Sequence, residues 1–274
     1  MIETLTIIIA IAFIITGIFI HPILIKKRRR HYKQLPFPIL WNAVIENNLP
    51  IYYCLSKGDR QRLQGHIQVF LAEKQFIGCN GLLVTEEMKI TIAAVACLLL
   101  LNERGEYFLR LRTIFIYPRT YFVNEIAKTG NYIVEEKRVA RLGESWTNDQ
   151  LVLSWEQVQY DTRNWQDGRN IVLHEFAHQL DQEDGEAEGV PILPRKLDYP
   201  IWMQVMTAAY QQLCHDVQRG RKTVMDSYGT TNPAEFFAVA TETFFEKPHQ
   251  LQKQHSALYK LLQSYYQLDP VQWV

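Results

Sequence analysis

The sequence contains few cysteines and no excess of charge of either sign. Its 274 residues include four cysteines, and Lys+Arg and Asp+Glu number 29 each. The cysteines are scattered and form no Cys-x-x-Cys pair, which argues against a disulfide framework or a cysteine-rich zinc ribbon and favours reduced thiols in a cytosol-like compartment. A nucleic-acid partner would need a basic face, and a formal net charge of zero provides no case for one. We therefore expect no nucleic-acid partner.

Internal repeats, low-complexity segments and Pro/Gly-rich linkers are also missing after Arg30. With 47% hydrophobic residues, the chain can bury one substantial core. Helical and strand patterns are mixed without a βαβ rhythm, which predicts an α+β fold that is mostly helical with a small sheet. We expect one domain over residues 31–274, preceded by a separate unit over residues 1–30.

A long apolar run occupies most of that first unit. Nearly every residue from Leu5 to Ile25 is apolar, and the basic cluster Lys26–Arg30 follows. About twenty apolar residues can cross the hydrocarbon core as a helix. A cleaved signal peptide has its basic residues before the apolar run, whereas here Glu3 precedes it and the basic cluster comes after. The sequence predicts one uncleaved transmembrane helix and, by the positive-inside rule, a single-pass membrane protein whose remaining chain is cytoplasmic.

Hydrophobic periodicity predicts the main elements of the remaining chain. The clearest amphipathic helix covers Asp59–Phe76, and the apolar segment Ile90–Leu101 is too short for a membrane span and indicates a buried helix. Segments rich in β-branched and aromatic residues indicate strands. The other predicted elements are helices over Asn170–Leu180, Ile201–Arg219 and Pro233–Phe245, a loop over Asp184–Pro194, and strands over Tyr107–Tyr117 and Leu151–Trp155.

The segment His174-Glu175-Phe176-Ala177-His178 carries the strongest chemical signal. On a helix, His174 and His178 lie one turn apart on the same face and can place two imidazole nitrogens on one zinc ion. Glu175 sits beside them, where it can take a proton from a zinc-bound water. The pattern therefore indicates a zinc-dependent metallopeptidase of the zincin class.

The residues alone leave the third zinc ligand open. Asp181 has a short side chain and would sit about 10 Å along the helix axis from His174, so we interpret it as a supporting carboxylate or a turn residue. Glu235 opens a helix that Asn232 caps, and Glu242 lies two turns further along the same stripe. On this reasoning either glutamate can be the ligand, with the other orienting an imidazole.

Longer segments of the chain resemble the Mlc titration factor A family of bacterial zinc peptidases. The resemblance covers essentially the whole chain from Leu35, and its most specific segment is Asn232–Phe245. The other matching segments are Ile116–Pro118, Gly143–Trp146, Leu151–Trp155, His174–Asp181, Gly189–Pro191 and Asp226–Gly229. The pattern is also similar to the catalytic domain of anthrax lethal factor.

This resemblance implies a zincin-like peptidase domain with a bound Zn²⁺. Carried over by residue, the zinc ligands are His174, His178 and Glu235. Glu242 then lies outside the ligand set. The resemblance further implies that the hydroxyl of Tyr228 stabilises the oxyanion, beside the catalytic Glu175 that the His-Glu-x-x-His pattern indicates.

The resemblance also implies two kinds of function. One is aminopeptidase-like hydrolysis of short peptides. The alternative is a regulatory protein that sequesters a transcription factor, since family members are named for binding a sugar-responsive repressor. The intact ligand set with Glu175 favours catalysis, and a purely structural zinc site would normally have four protein ligands rather than three. The expected partners are a peptide or protein substrate, the membrane through the N-terminal helix, and a transcription regulator.

Overall fold

The computed structural model describes residues 20–103, 106–119, 121–129, 133–141, 143–147 and 149–273. The described helices are α1 (residues 20–34), α2 (Ile39–Asn48), α3 (Lys57–Glu73), α4 (Glu86–Leu98), α5 (Trp155–Arg163), α6 (Ile171–Asp181), α7 (Tyr199–Gln218), α8 (Pro233–Glu246), α9 (Pro248–Gln254) and α10 (Ser256–Tyr266). The described strands are β1 (Gln75–Gly78), β2 (Thr113–Tyr117), β3 (Tyr121–Thr129), β4 (Ile133–Arg141), β5 (Gly143–Thr147) and β6 (Gln150–Ser154). Single 3₁₀ turns cover Pro50–Cys54, Lys196–Asp198, Ser227–Thr230 and Pro270–Trp273.

Four of these strands form one small sheet in the order β1-β2-β6-β5. Strands β1, β2 and β6 are parallel, and β5 pairs antiparallel with β6 at the edge of the sheet. Strands β3 and β4 form a separate antiparallel pair. The fold is thus mostly helical, with a small and largely parallel sheet.

The predicted α+β class without a βαβ unit is wrong. Strands β1 and β2 are parallel neighbours and are connected through helix α4. Such neighbours require a long crossover, which is here helical. Strand β1 has only 4 residues, too few to show a strand pattern in the sequence.

The strand predicted over Tyr107–Tyr117 is shorter than expected. It begins at Thr113, because Tyr107 and Phe108 have φ angles of 57° and 53° and leave the extended conformation. Both of these side chains are buried. The aromatic residues that suggested a strand therefore fill the core from a loop.

The predicted helices are confirmed, with ends that shift by a few residues. They correspond to α3, α4, α6, α7 and α8, and the segment predicted as a loop, Asp184–Pro194, contains neither helix nor strand. Two of the helix starts follow from capping: the hydroxyl of Ser56 accepts the Asp59 N–H at the start of α3, and that of Thr85 accepts the Met88 N–H at the start of α4.

The predicted membrane anchor has to be corrected. Among the described residues, none of the helices combines the length and the apolar character that a membrane crossing requires. Residues 5–19 of the predicted apolar run, like residues 1–4 before it, lie outside the described residues. The prediction of a single-pass membrane protein with a cytoplasmic catalytic domain depended on that anchor and is overturned with it.

The basic cluster interpreted as the flank of that anchor takes part in packing. Helix α1 runs through it, so the predicted boundary between residues 30 and 31 lies inside one helix. The Arg29 side chain is largely buried: its Nε and one terminal nitrogen contact the Glu73 carboxylate at 2.9 and 3.0 Å, and its other terminal nitrogen lies 2.6 Å from Glu106. Its guanidinium also stacks over the ring of Tyr107, 4.7 Å from the centroid. A charge expected at a membrane surface instead joins α1 to α3.

The hydrophobic core surrounds the helix that carries the histidines. Every residue from Ile90 to Leu101 is buried, as predicted for this apolar segment. The Phe176 ring of α6 lies 4.7 Å from that of Phe108 and 5.6 Å from that of Phe70 in α3. This aromatic cluster fixes α6 against α3.

Truncation of that cluster should therefore be costly. Phe176→Ala removes a fully buried ring and should lower the free energy of unfolding by about 3–5 kcal/mol. Leu197→Ala is the control, because Leu197 is 82% exposed and its loss should change stability by no more than about 0.5 kcal/mol. Urea denaturation of both variants measures the difference, and equal stabilities would contradict this account of the core.

Candidate metal centre

Helix α6 brings His174 and His178 onto one face. It begins at Ile171 and is capped by Asn170, whose side-chain oxygen accepts the Leu173 N–H at 3.1 Å. The two imidazole rings lie 4.9 Å apart, and their Nε2 atoms are separated by 3.2 Å. Both rings are largely buried. The spacing of four residues thus produces a pair of nitrogens aimed at the same point.

Glu235 reaches the same point from helix α8. Asn232 caps this helix by accepting the Glu235 N–H at 2.9 Å, and Pro233 occupies its first position. The Oε2 atom of Glu235 lies 3.0 Å from His174 Nε2 and 3.3 Å from His178 Nε2. One ligand atom from each of these residues falls within 4.8 Å of the others.

This set fits a divalent metal ion of the zinc type. Metal–ligand bonds of about 2.0–2.1 Å in a tetrahedral site place neighbouring ligand atoms roughly 3.3 Å apart, close to the separations here. Two imidazoles and one carboxylate are also ligand types that such an ion takes. Burial opposes ionisation of Glu235, but its hydrogen bonds with the two histidines outweigh burial and lower its pKa to about 2, so the carboxylate is ionised.

Glu242 lies on the other side of the His174 ring. Its Oε1 accepts a hydrogen bond from His174 Nδ1 at 2.7 Å, and its Oε2 accepts the Asn170 N–H at 2.6 Å. Burial opposes protonation of His174, but the charge of Glu242 and the hydrogen bond with Glu235 outweigh it and raise the His174 pKa well above its usual value. The structure therefore groups Glu235 with both Nε2 atoms and leaves Glu242 to orient one ring.

Glu175 and Tyr228 border this cluster in different ways. Glu175 follows His174 directly and is only 5% exposed, and burial raises the pKa of its carboxyl group. Tyr228 lies in the 3₁₀ turn Ser227–Thr230 and is 54% exposed, with its ring centroid 5.9 Å from that of His174. A buried carboxyl group and an accessible phenol thus lie beside the same imidazoles.

Two carboxylates at the start of α6 were missed by the sequence reasoning. Glu246 accepts the N–H groups of Gly168 and Arg169 at 2.8 and 3.0 Å, and Asp161 accepts that of Ile171 at 2.7 Å. Burial raises the pKa of Glu246 to about 9 and that of Asp161 to about 7, and the N–H donors act in the opposite direction. The position of Glu246, one turn after Glu242 on α8, was an available signal. Nothing in the sequence pointed to Asp161, which comes from α5.

Asp181 supports the centre from the end of α6, as one of its two suggested roles requires. Its carboxylate accepts the N–H groups of Gly189 at 2.9 Å and Val190 at 2.6 Å. Gly189 has a φ of +76°, and a Cβ atom there would lie 2.3 Å from the carbonyl oxygen of Pro233. Trp202 donates its indole N–H to the Gly189 carbonyl at 3.1 Å. The loop after α6 is thereby held against the first turn of α8, which carries Glu235.

A His-Glu-x-x-His helix joined by a glutamate from a second helix is the site of a metallopeptidase-type protein. The family model described as "Glucose-regulated metallo-peptidase M90" matches residues 24–267, and the chain belongs to this family.

Curated relatives agree with this assignment. The chain is 45% identical over 259 residues to a protein of Synechocystis sp. described as uncharacterized, with 94% of each chain covered. It is 31% identical over 236 residues to Mlc titration factor A of Pectobacterium atrosepticum, covering 84% of this chain and 86% of the relative. Identity to Mlc titration factor A of Escherichia coli K12 is 27% over 247 residues, covering 88% and 89%. The resemblance to this family is thus confirmed, while the similarity to lethal factor stays a prediction.

The contact between Gly189 and Pro233 can be tested directly. Gly189→Ala forces a left-handed backbone on alanine, which costs about 1–2 kcal/mol, and adds a clash with the Pro233 carbonyl. Gly220→Ala is matched, because Gly220 also has a positive φ of 66° but has open space around its Cβ position. Thermal unfolding should therefore show a larger loss for Gly189→Ala, together with weaker metal binding. Equal losses and unchanged metal binding would contradict the role of this loop.

Proposed function

We propose that this protein is a zinc-dependent peptidase whose zinc ligands are His174, His178 and Glu235. The observation that carries the proposal is the convergence of three ligand atoms from two helices, with a buried carboxyl group from Glu175 next to them. Three protein ligands leave one position for water or substrate, which is typical of catalytic rather than structural zinc. Membership of a family described as metallo-peptidases supports the same conclusion.

Each residue has a distinct task in the proposed reaction. Zinc, when bound, supplies a Lewis acid that activates water and polarises the scissile carbonyl group. Glu175, which is buried and directly follows His174, accepts the proton of the attacking water and passes it to the leaving amine. Glu242 keeps the Nδ1–H of His174 engaged, so that Nε2 presents its lone pair to the ion. The hydroxyl of Tyr228 stabilises the negative charge that develops on the carbonyl oxygen.

The substrate backbone has a suitable sheet edge nearby. The strand predicted over Leu151–Trp155 is β6, which lies between β2 and β5 and has no free edge. Among the described strands, β5 is the edge on that side. An extended peptide can add to such an edge through main-chain hydrogen bonds, and we assign this role to β5. From the family resemblance, we also propose that the enzyme prefers short peptides with a free amino terminus.

The proposed ligand set predicts a definite order of metal loss. Purified protein should hold about one zinc per chain, and Glu235→Ala should lose most of it because a ligand is gone. Glu242→Ala should retain more, since it removes only the partner of a ligand. Exposed Glu188→Ala serves as the matched control and should retain all of it. Elemental analysis that gives the reverse order for Glu235 and Glu242 would move the ligand to Glu242.

A second candidate function is regulatory binding without catalysis. Curated relatives at 27–31% identity are named Mlc titration factor A, a name that describes titration of another protein. By analogy, this chain would bind and sequester a transcription repressor. The two functions differ in their need for Glu175, because a protein that only binds a partner has no use for a buried general base.

Replacement of Glu175 by glutamine separates the two candidates. Glu175→Gln is nearly isosteric and should keep the metal, but it cannot accept the proton, so turnover of an unblocked peptide should fall by about a hundredfold or more. The assay pairs zinc content with turnover, and the N-acetylated form of the peptide tests the preference for a free amino terminus. Equal turnover by variant and wild type would refute this mechanism. No turnover by either would favour the binding function.

A further inference from the structure

The turn that carries Tyr228 is capped by the carboxylate of Asp226. Asp226 precedes the turn, and its Oδ1 accepts the Tyr228 N–H at 2.8 Å. The carbonyl oxygen of Asp226 also accepts the Gly229 N–H at 3.2 Å. Because Tyr228 is 54% exposed, these bonds rather than deep burial determine where its backbone lies.

The other oxygen of Asp226 is bound by an arginine from the start of the metal helix. Arg169 Nε donates to Asp226 Oδ2 at 2.7 Å, and a terminal nitrogen of the same guanidinium also contacts Oδ2. Arg169 directly precedes Asn170, the cap of α6, and its own N–H donates to buried Glu246 at 3.0 Å. The Arg169 backbone is therefore held at the start of α6, while its side chain contacts the carboxylate that caps the Tyr228 turn.

The far side of the turn is fixed by other elements. Tyr210 of α7 donates its hydroxyl to the Thr230 carbonyl at 3.1 Å. Gly229 packs closely against Leu213 and Val239, since a Cβ atom there would lie 3.2–3.3 Å from their side chains. Helices α7 and α8 thus hold residues 229–230, and Thr231 donates its hydroxyl to the Tyr228 carbonyl at 2.7 Å. Arg169 contacts residue 226, whose Oδ1 accepts the Tyr228 N–H.

We propose that Arg169 is a positioning residue that acts through Asp226 to keep the Tyr228 ring at the metal centre. This inference rests on the proposed function, in which Tyr228 contacts the reacting carbonyl. Both guanidinium donors contact Oδ2 of Asp226, so they hold that oxygen and neutralise the carboxylate while Oδ1 accepts the Tyr228 N–H. The contact ties the first residues of α6 and the turn before α8 together, so the histidines and the phenol share one support.

The first test is a double-mutant cycle between Arg169 and Tyr228. Arg169→Gln should lower kcat for an unblocked peptide about fivefold, with KM and zinc content nearly unchanged, because only the position of Tyr228 is disturbed. Tyr228→Phe should lower kcat further. Adding Arg169→Gln to Tyr228→Phe should have no further effect, since the group that it positions is already gone.

Arg195→Gln is the matched control for this cycle. It breaks a comparable exposed pair, in which Arg195 contacts Asp198 at 2.8 and 3.2 Å, away from the Tyr228 turn. Its kcat should equal that of wild type. Full additivity of Arg169→Gln and Tyr228→Phe, or an unchanged kcat in Arg169→Gln, would overturn the proposal, even if Glu175→Gln has confirmed the peptidase mechanism.

A second measurement does not depend on catalysis. In the zinc-loaded full chain, amide hydrogen exchange at Tyr228 and Gly229 should become about fivefold faster in Arg169→Gln and stay unchanged in Arg195→Gln. Unchanged exchange in Arg169→Gln would overturn the proposal. If wild type hydrolyses no peptide, the proposed function fails on its own, and the exchange rates alone decide whether Arg169 holds the turn.

Discussion

The carboxylate of Glu242 joins the two helices on which the candidate metal centre depends. One of its oxygens accepts the N–H of Asn170, which caps α6, and the other accepts Nδ1–H of His174. This pair of bonds fixes the register of α6 against α8. Glu235 lies two turns before Glu242, about 10 Å along the axis, so the same register brings Glu235 to the opposite side of the His174 ring. The imidazole is thereby bracketed by two carboxylates of one helix.

Burial of so many acidic groups near one helix end would be unfavourable without partners. At the start of α6, four successive N–H groups, from residues 168 to 171, donate to Asp161, Glu242 and Glu246. These N–H groups have no partners within the helix, and the positive end of the helix dipole lies there. The carboxylates and the helix end therefore stabilise each other, and the metal helix gains a fixed origin on both α5 and α8.

Helices α6 and α8 are also joined at the other end of the centre. Asp181 holds the loop after α6, and Gly189 in that loop touches the backbone of Pro233 next to Glu235. The first turn of α8 is thus confined by its own cap at Asn232 and by a loop that α6 anchors. A site built on two helices that are tied at both ends is preorganised for a metal ion, which suits both a peptidase and a regulated binding protein.

The local sequence was sufficient to predict features that depend on residues only a few positions apart. The spacing of His174 and His178, the apolar stripe of α6 and the caps of α6 and α8 all act within a few residues, so the helices and the histidine pair were predictable from periodicity alone. The family resemblance supplied Glu235, which spacing had left level with Glu242. Strand β1 and the parallel order of the sheet were not predictable, because 4 residues carry too little pattern and pairing is decided by distant partners.

The role of the basic cluster before residue 31 was likewise not predictable, because it depends on distant partners. Five adjacent positive charges after an apolar run predict a membrane flank, yet Arg29 is buried against Glu73 of α3, a partner 44 residues away. Likewise, Asp161, Glu246 and Arg169 acquire their roles only when α5, α8 and the Tyr228 turn meet the start of α6. The sequence by itself determined helices α3, α4, α6, α7 and α8 and the pair of histidines one turn apart on α6. Only the tertiary structure decided which charges meet, because such contacts depend on distances in space that separation along the chain does not encode.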